Sequence, residues 1–360
     1  MKHTKLIALL LAAVLTAGML SACAPTVVVL QEAPKETTPT ETPAASETEP
    51  STEAGGVPVK TGLSFVTATT SSTGASEEGD GVAQADISLV AVTVDDNGVI
   101  DSCVIDAVQA KIGFNAKGEL TGDTTAPILS KNELGTDYGM GKYSPIGKEW
   151  NEQVAALAAY VVGLTLEEVQ GIAITDEGKA GDADLASSVT IYMGGLLSGI
   201  EDAVNNAVHM GAQKGDKLVL NTVTSASGSK QATEGEDGLA QAYCTVAAMT
   251  LNGDVITSCY LDAVQANVNF DASGAITSEL SADVASKNTL GDDYGMHTYS
   301  SIGADWHTQA ASFCTYVTGK TVADVTGIAV TEEGKAGDAD LASSVTMGIG
   351  DFVELLAKAG

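Results

Sequence analysis

The feature that most constrains this 360-residue chain is an internal repeat. Glu177 to Thr190, EGKAGDADLASSVT, recurs unchanged at Glu333 to Thr346. Around it, Asp106-Ala-Val-Gln-Ala returns at Asp262, Lys131-Asn132 at Lys287-Asn288, Tyr138-Gly-Met at Tyr294-Gly-Met and Trp150 at Trp306, all 156 residues apart. Upstream the spacing is 157, since Lys60 matches Lys217 and Asp80-Gly81 matches Asp237-Gly238. One residue is therefore missing from the second copy between the counterparts of Gly81 and Ile100, close to a turn, where a length change costs least. A unit this long has enough chain for a core of its own, which argues for tandem domains and against a solenoid. The expected boundaries are 60–212 for the first copy and 217–360 for the second.

Each copy reads as α+β: two tandem copies of a small antiparallel-sheet-plus-helices domain. Ile87 to Val94 alternates towards Asp96-Asn97-Gly98, a hairpin signal, and Val99 to Val108 continues as the return strand. Tyr243 to Leu251, Asn252-Gly253 and Val255 to Val264 repeat the pattern. Ser144-Pro145 places a cap and a first-turn proline ahead of a helix whose apolar face is Ile146, Trp150, Val154, Leu157 and Val161, ending at Gly163. Thr165 with Glu168 gives a capping box for a short helix. Ile172-Ala-Ile174 reads as a short strand, and Leu196 to Val208 and Phe352 to Lys358 as closing helices.

The first residues differ in kind. Met1 to Lys5 is short and basic, Leu6 to Leu20 is apolar, and Leu20-Ser-Ala-Cys23 follows, a signal-peptide pattern over 1–22. The apolar run is shorter than the roughly 18–20 residues of a membrane span. Its ending resembles a bacterial lipobox, which implies lipidation of Cys23 and a chain held on the membrane by acyl groups. From 23 to 59 the sequence is rich in Pro, Thr, Ser and Glu, with six of the eight prolines between Pro25 and Pro58. Such a segment buries too little apolar surface to offset its ordering entropy and reads as an extended tether. The expected location is extracytoplasmic, on the surface of a bacterial cell membrane.

Composition narrows the partners. A formal charge of −30 sets the chain against nucleic acid. Of the five cysteines, Cys103 and Cys259 correspond, whereas Cys244 and Cys314 have no counterpart. Cys244 and Cys259 could face each other across the second hairpin, but a bridge present in one copy only favours structural thiols. His209, His297 and His307 have no partners in the matching copy, which argues against a repeated zinc or haem site. Asp176 to Asp184 lacks the spacing of a calcium loop. No nucleophile–base pair recurs and no Gly-rich nucleotide loop is present, so no catalytic residues are assigned.

The order of elements resembles the FMN-binding domain of membrane redox complexes and of bacterial surface electron-transfer lipoproteins. The likeness covers both copies. Its strand portion is Ile87 to Val108, and its site portion is Asp184-Leu-Ala-Ser187-Ser188-Val189-Thr190, repeated at Asp340-Leu-Ala-Ser343-Ser344-Val345-Thr346. The family motif is similar to Asp-x-x-Ser/Thr-Gly-Ala-Thr, with FMN joined through its phosphate to the last threonine. The resemblance therefore implies FMN on Thr190 and Thr346, with Ser187, Ser343, Asp184 and Asp340 at matching motif positions. Ser188 and Ser344 replace the family glycine, and Val189 and Val345 its alanine. Independently of the family, hydroxyls and backbone N–H groups ahead of a helix suit a phosphate. Asp182 and Asp184 oppose free phosphate by Coulomb repulsion, which favours attachment by a metal-dependent flavin transferase. Tyr138-Gly-Met140 and Tyr294-Gly-Met296 are candidates for packing on the flavin ring; Trp150 and Trp306 suit the core of their helix.

The implied function is that of a membrane-anchored electron carrier rather than a stand-alone enzyme, exchanging electrons with redox proteins or soluble acceptors. The alternative is a non-redox surface lipoprotein for ligand binding or adhesion, in which the loop is structural and tandem copies add avidity.

Overall fold

In the computed structural model, residues 56–360 are described. The signal segment, Cys23 and all but the last residues of the tether lie outside them. The strands are β1 (Pro58–Ala68), β2 (Gly81–Val94), β3 (Ile100–Phe114), β4 (Leu120–Thr121), β5 (Val208–Gln213), β6 (Lys217–Ser225), β7 (Gly238–Asn252) and β8 (Val255–Phe270). The helices of the first copy are α1 (Lys131–Leu134), α2 (Trp150–Val161), α3 (Leu166–Gln170), α4 (Ala183–Ala186) and α5 (Gly194–Asn205). Those of the second are α6 (Lys287–Leu290), α7 (Trp306–Val317), α8 (Val322–Thr326), α9 (Ala339–Ala342) and α10 (Gly350–Ala357). The fold is mixed α/β, with two antiparallel sheets ordered β4-β3-β2-β1-β5 and β6-β7-β8.

Both long hairpins form at the expected turns, with Gly98 and Gly253 at φ +79° and +62°. The missing residue falls inside the turn: Val94 pairs with Ile100, while its counterpart Leu251 pairs with Ile256 one residue sooner. Burial along β2 shows why the strands stop alternating. Its first half is buried at every second residue, but Leu89 to Val94 is buried on both faces. Ile87, Leu89 and Ala91 face the other sheet. Val90, Val92 and Val94 face α2 and α5 of their own copy. The result is helices, sheet, sheet, helices, and strands covered on both sides need continuous apolar runs.

The two copies share their central core instead of standing apart. One cluster takes Ile87, Leu89, Val108 and Phe114 from the first copy and Cys244, Val246, Val264 and Phe270 from the second. Contacts across it come in reciprocal pairs. Phe114 stacks on its own counterpart Phe270, ring centroids 4.2 Å apart and planes 7° from parallel. Ala75 N donates to Gly274 O and Ala232 N to Gly118 O, both at 2.8 Å. Residue i touching j′ while i′ touches j is the signature of an isologous two-fold contact, here within one chain. Gly118 and Gly274 are fixed by that approach. Each has positive φ, and a Cβ on either would lie 2.6 Å from Ala232 or Ala75.

Several local expectations are corrected. The Ser144-Pro145 segment is a turn, and α2 begins at Trp150, capped by Glu149 with Glu152 in a capping box. Two carboxylate-bearing residues do there what the Ser-Pro pair was expected to do. Ile172 to Ile174 is no strand; only an isolated bridge joins Ile174 to Ala180. The first closing helix stops at Asn205, and Val208 starts β5, which pairs with the edge of β1. The Thr165–Glu168 capping box stands as expected. No helix among the described residues is long and apolar enough to cross a membrane.

Candidate functional site

The repeated loop is built twice in the same way. Thr175 and Lys179 close a tight turn through Gly178, at φ +73°. Asp182 then caps α4, accepting from Asp184 N at 2.9 Å and Leu185 N at 3.2 Å; Asp338 does the same for α9. Ser187 Oγ donates to Asp184 O and Ser343 Oγ to Asp340 O, both at 2.7 Å. Ser188 N continues the turn by donating to Leu185 O. Val189 and Val345 are buried in the core.

Thr190 and Thr346 are held by a residue that the apolar face of the helix had concealed. Gln153 of α2 is fully buried, and its Oε1 accepts from Thr190 N at 2.8 Å and Thr190 Oγ at 3.1 Å. Its Nε2 donates to Ser144 Oγ and Lys148 O, each at 3.1 Å. Gln309 of α7 repeats this with Thr346 N at 2.8 Å and Thr346 Oγ at 3.3 Å, and takes Met347 N as well. A buried carboxamide must satisfy both ends, and this one does. The signal was present in the sequence as Trp150-x-x-Gln153 returning at Trp306-x-x-Gln309.

Each threonine hydroxyl therefore points its proton inward at Gln Oε1, with its lone pairs left over. Around it the charge is negative. Asp182 and Asp184 are exposed, and Lys179 is already paired with Glu177 at 3.1 Å, as Lys335 is with Glu333 at 3.2 Å. The closing helices begin only at Gly194 and Gly350, four residues beyond Thr190 and Thr346, without a side-chain cap. Among the described residues phosphate is thus offered, within the loop, only a lysine already paired with glutamate and no adjoining closing-helix N-terminus, contrary to the sequence expectation. These residues fit an ester at the threonine oxygen; they do not fit ionic capture of a free phosphate.

A second repeated constellation lies between the sheet and α2 or α7. Asp106 and Asp262 are buried, and burial pushes both carboxyls up to about 6. Asp262 accepts from Ser286 Oγ at 2.6 Å and Asn288 N at 3.0 Å; Asn132 N reaches Asp106 at 3.1 Å. Lys287 Nζ lies 4.5 Å from the Tyr243 ring centre, 4.6 Å from Tyr294 and 5.2 Å from Trp306. Burial pulls its ammonium down to about 8, against the opposing pull of Asp262 and Asp351. Lys131 sits similarly over Tyr138 and Trp150, at 4.8 and 5.0 Å. The tyrosines of the Tyr-Gly-Met segments thus face a lysine, a cation–π arrangement. The tryptophans are core residues, as expected.

The cysteines do not bridge. In the second hairpin Cys244 pairs with Val264 and Cys259 with Met249, five positions out of register. Cys103, Cys244, Cys259 and Cys314 are free, and burial pushes the Cys103 and Cys244 thiols up to about 12. Among the described residues no group of three His, Cys, Asp or Glu side chains could hold a metal ion. Comparison with family models, with curated proteins and with solved structures finds no match.

Proposed function

We propose that this chain is an extracytoplasmic, membrane-anchored flavin carrier that bears FMN through Thr190 and Thr346. The observation that carries the reading is the pair of half-buried threonine hydroxyls, each oriented by a buried glutamine and each in an unchanged loop. FMN would supply the electron chemistry; the chain's part is to fix the threonine oxygen, its O–H donated to Gln153 or Gln309 Oε1 and its lone pairs free, so that it would displace the leaving group on the phosphorus of a flavin donor held by the transferase and give up its proton as the ester forms. The acidic loop, whose one lysine is already paired with glutamate, supports covalent attachment by a separate transferase over spontaneous binding. Redox proteins or soluble acceptors would be the partners, and Cys23 the lipid anchor.

Intact mass and visible absorbance of protein purified from its own host under denaturing conditions test this. Wild type should carry two FMN additions with colour that survives denaturation. Thr190→Val and Thr346→Val should each remove one addition, and the double variant both. A double variant that keeps its colour overturns the assignment.

A second reading, a surface module that binds a non-redox ligand, is favoured by a separate observation. A cavity of about 470 Å³ opens between β5, β8 and α7, lined by His209, Met210, Cys259, Tyr260, His307 and Cys314. Its counterpart in the first copy, about 310 Å³, is lined by Cys103, Asn151 and Ala158 among others. Colourless protein from the native host would move the weight to this cavity.

A further inference from the structure

Because the halves are related by a pseudo-two-fold, each serves as a reference for the other. At one pair of equivalent places they differ sharply. Lys358, the C-cap residue of α10, reaches across to the first half. Its Nζ donates to Glu133 Oε1 at 2.7 Å and to Thr222 O at 2.6 Å. On the other side of the axis the counterpart of Lys358 is Asp202, that of Glu133 is Thr289 and that of Thr222 is Phe65. The ammonium is gone, and its place is a polar cavity of about 370 Å³ lined by Ser64, Asp202, Asn206, Asp262, Ser286 and Thr289.

Two features indicate what would fill it. Ser64 is only 3% exposed and lines the cavity with its hydroxyl-bearing side chain. Asp202 is without an ion pair among the described residues, and the buried Asp262 stands in the same wall. The chain itself demonstrates the ligand chemistry, since the equivalent place holds a primary ammonium between a carboxylate and a carbonyl. A quaternary ammonium has no N–H to give such acceptors.

We propose that this cavity binds the primary ammonium of a small alkylamine, in the place that Lys358 fills on the opposite side. Asp202 supplies the charge, and Ser64, Asn206 and Thr289 supply acceptor oxygens. The inference is independent of flavin carriage, because none of these residues belongs to the repeated loop.

Calorimetric titration of the full chain with n-butylamine, at fixed ionic strength, tests it. Saturable binding at one site is expected, with tetramethylammonium at least tenfold weaker. Asp202→Asn should weaken butylamine at least tenfold. Asp202→Lys with Thr289→Glu should abolish binding and raise the melting temperature, because it rebuilds the Lys358–Glu133 pair. That variant guards against misfolding as the cause of lost binding. Equal affinity for both amines, or a rebuilt variant that binds butylamine like wild type, overturns the proposal and leaves only diffuse attraction to an acidic surface.

Discussion

The repeated loop and one corner of the seam between the copies differ in how closely the two copies agree. Glu177–Thr190 and Glu333–Thr346 are identical, while across the seam Lys358 faces Glu133 on one side and Asp202 faces Thr289 on the other. The loop is held by partners that are the same twice: the Asp182 or Asp338 cap, the buried valine, and a glutamine on the neighbouring helix. A change at any of these leaves a buried donor or a cavity within its own half. At the seam, a change in one partner can be met by a change in the other. Identity holds in the self-contained loop and at the centre of the seam, where Phe114 meets Phe270, while divergence is found at the seam's Lys358 corner, where contacts are made in exchangeable pairs.

The strongest test of that contrast is to break the seam at its centre. Phe270 is fully buried against Phe114, and Phe270→Ala should cost about 3–5 kcal/mol through lost burial and the cavity left behind. Because the central cluster draws on both copies, both should unfold together in urea, with one transition shifted to lower denaturant. Two transitions, with the first copy keeping its wild-type midpoint, would mean that the halves are separate domains after all.

The next test uses the buried carboxyls. Asp106 and Asp262 titrate higher in the fold than in an unfolded chain, so the folded state holds their protons more tightly between about pH 4 and 6. Stability from these groups is present below that window and is lost as pH rises through it, on the order of 3 kcal/mol each. Lys287 runs the other way: its ammonium is depressed to about 8, so its contribution grows as pH rises from about 8 towards 10.5. Urea midpoints of Asp262→Asn, taken relative to wild type, should shift in favour of the variant between pH 4 and 7. A difference that stays flat across that range would show that the carboxyl is not held protonated by its surroundings.

How much of this could be read from the chain depended on the range of the contact. The hairpins at Asn97-Gly98 and Asn252-Gly253 and the Thr165–Glu168 cap are decided within a few residues, and they form as expected. The start of α2 was misread because Ser144-Pro145 looks like a helix entry, while Ser144 in fact serves Gln153 nine residues on. The shared core was hidden for a different reason. Each copy carries enough apolar residues to suggest a complete domain, and only the two-sided burial of Leu89 to Val94 reveals a second layer pressed against the sheet. Within the candidate site, the threonines were legible from the repeat. The glutamine was legible only as a recurrence, Trp150-x-x-Gln153 and Trp306-x-x-Gln309, because a polar residue on an apolar helix face does not say which group it meets.

That glutamine offers the finest comparison between the halves. Gln153→Leu and Gln309→Leu keep the side-chain volume close to its original value and remove both ends of the carboxamide, so the loss reports on the groups it leaves unpartnered. In the first half four groups lose their partner, the donors Thr190 N and Oγ and the acceptors Ser144 Oγ and Lys148 O; in the second Met347 N joins the corresponding four. With roughly 1–3 kcal/mol for a buried donor left unsatisfied, less where water can enter, each variant should cost about 2 kcal/mol, and Gln309→Leu up to about 1 kcal/mol more. Chemical denaturation of the two single variants and the double measures this directly. Glutamines confined to their own half should give additive losses, since they lie on separate helices with no shared partner. Clear non-additivity would show that the loops communicate through the seam, and would remove the distinction between self-contained loop and exchangeable interface on which the comparison rests.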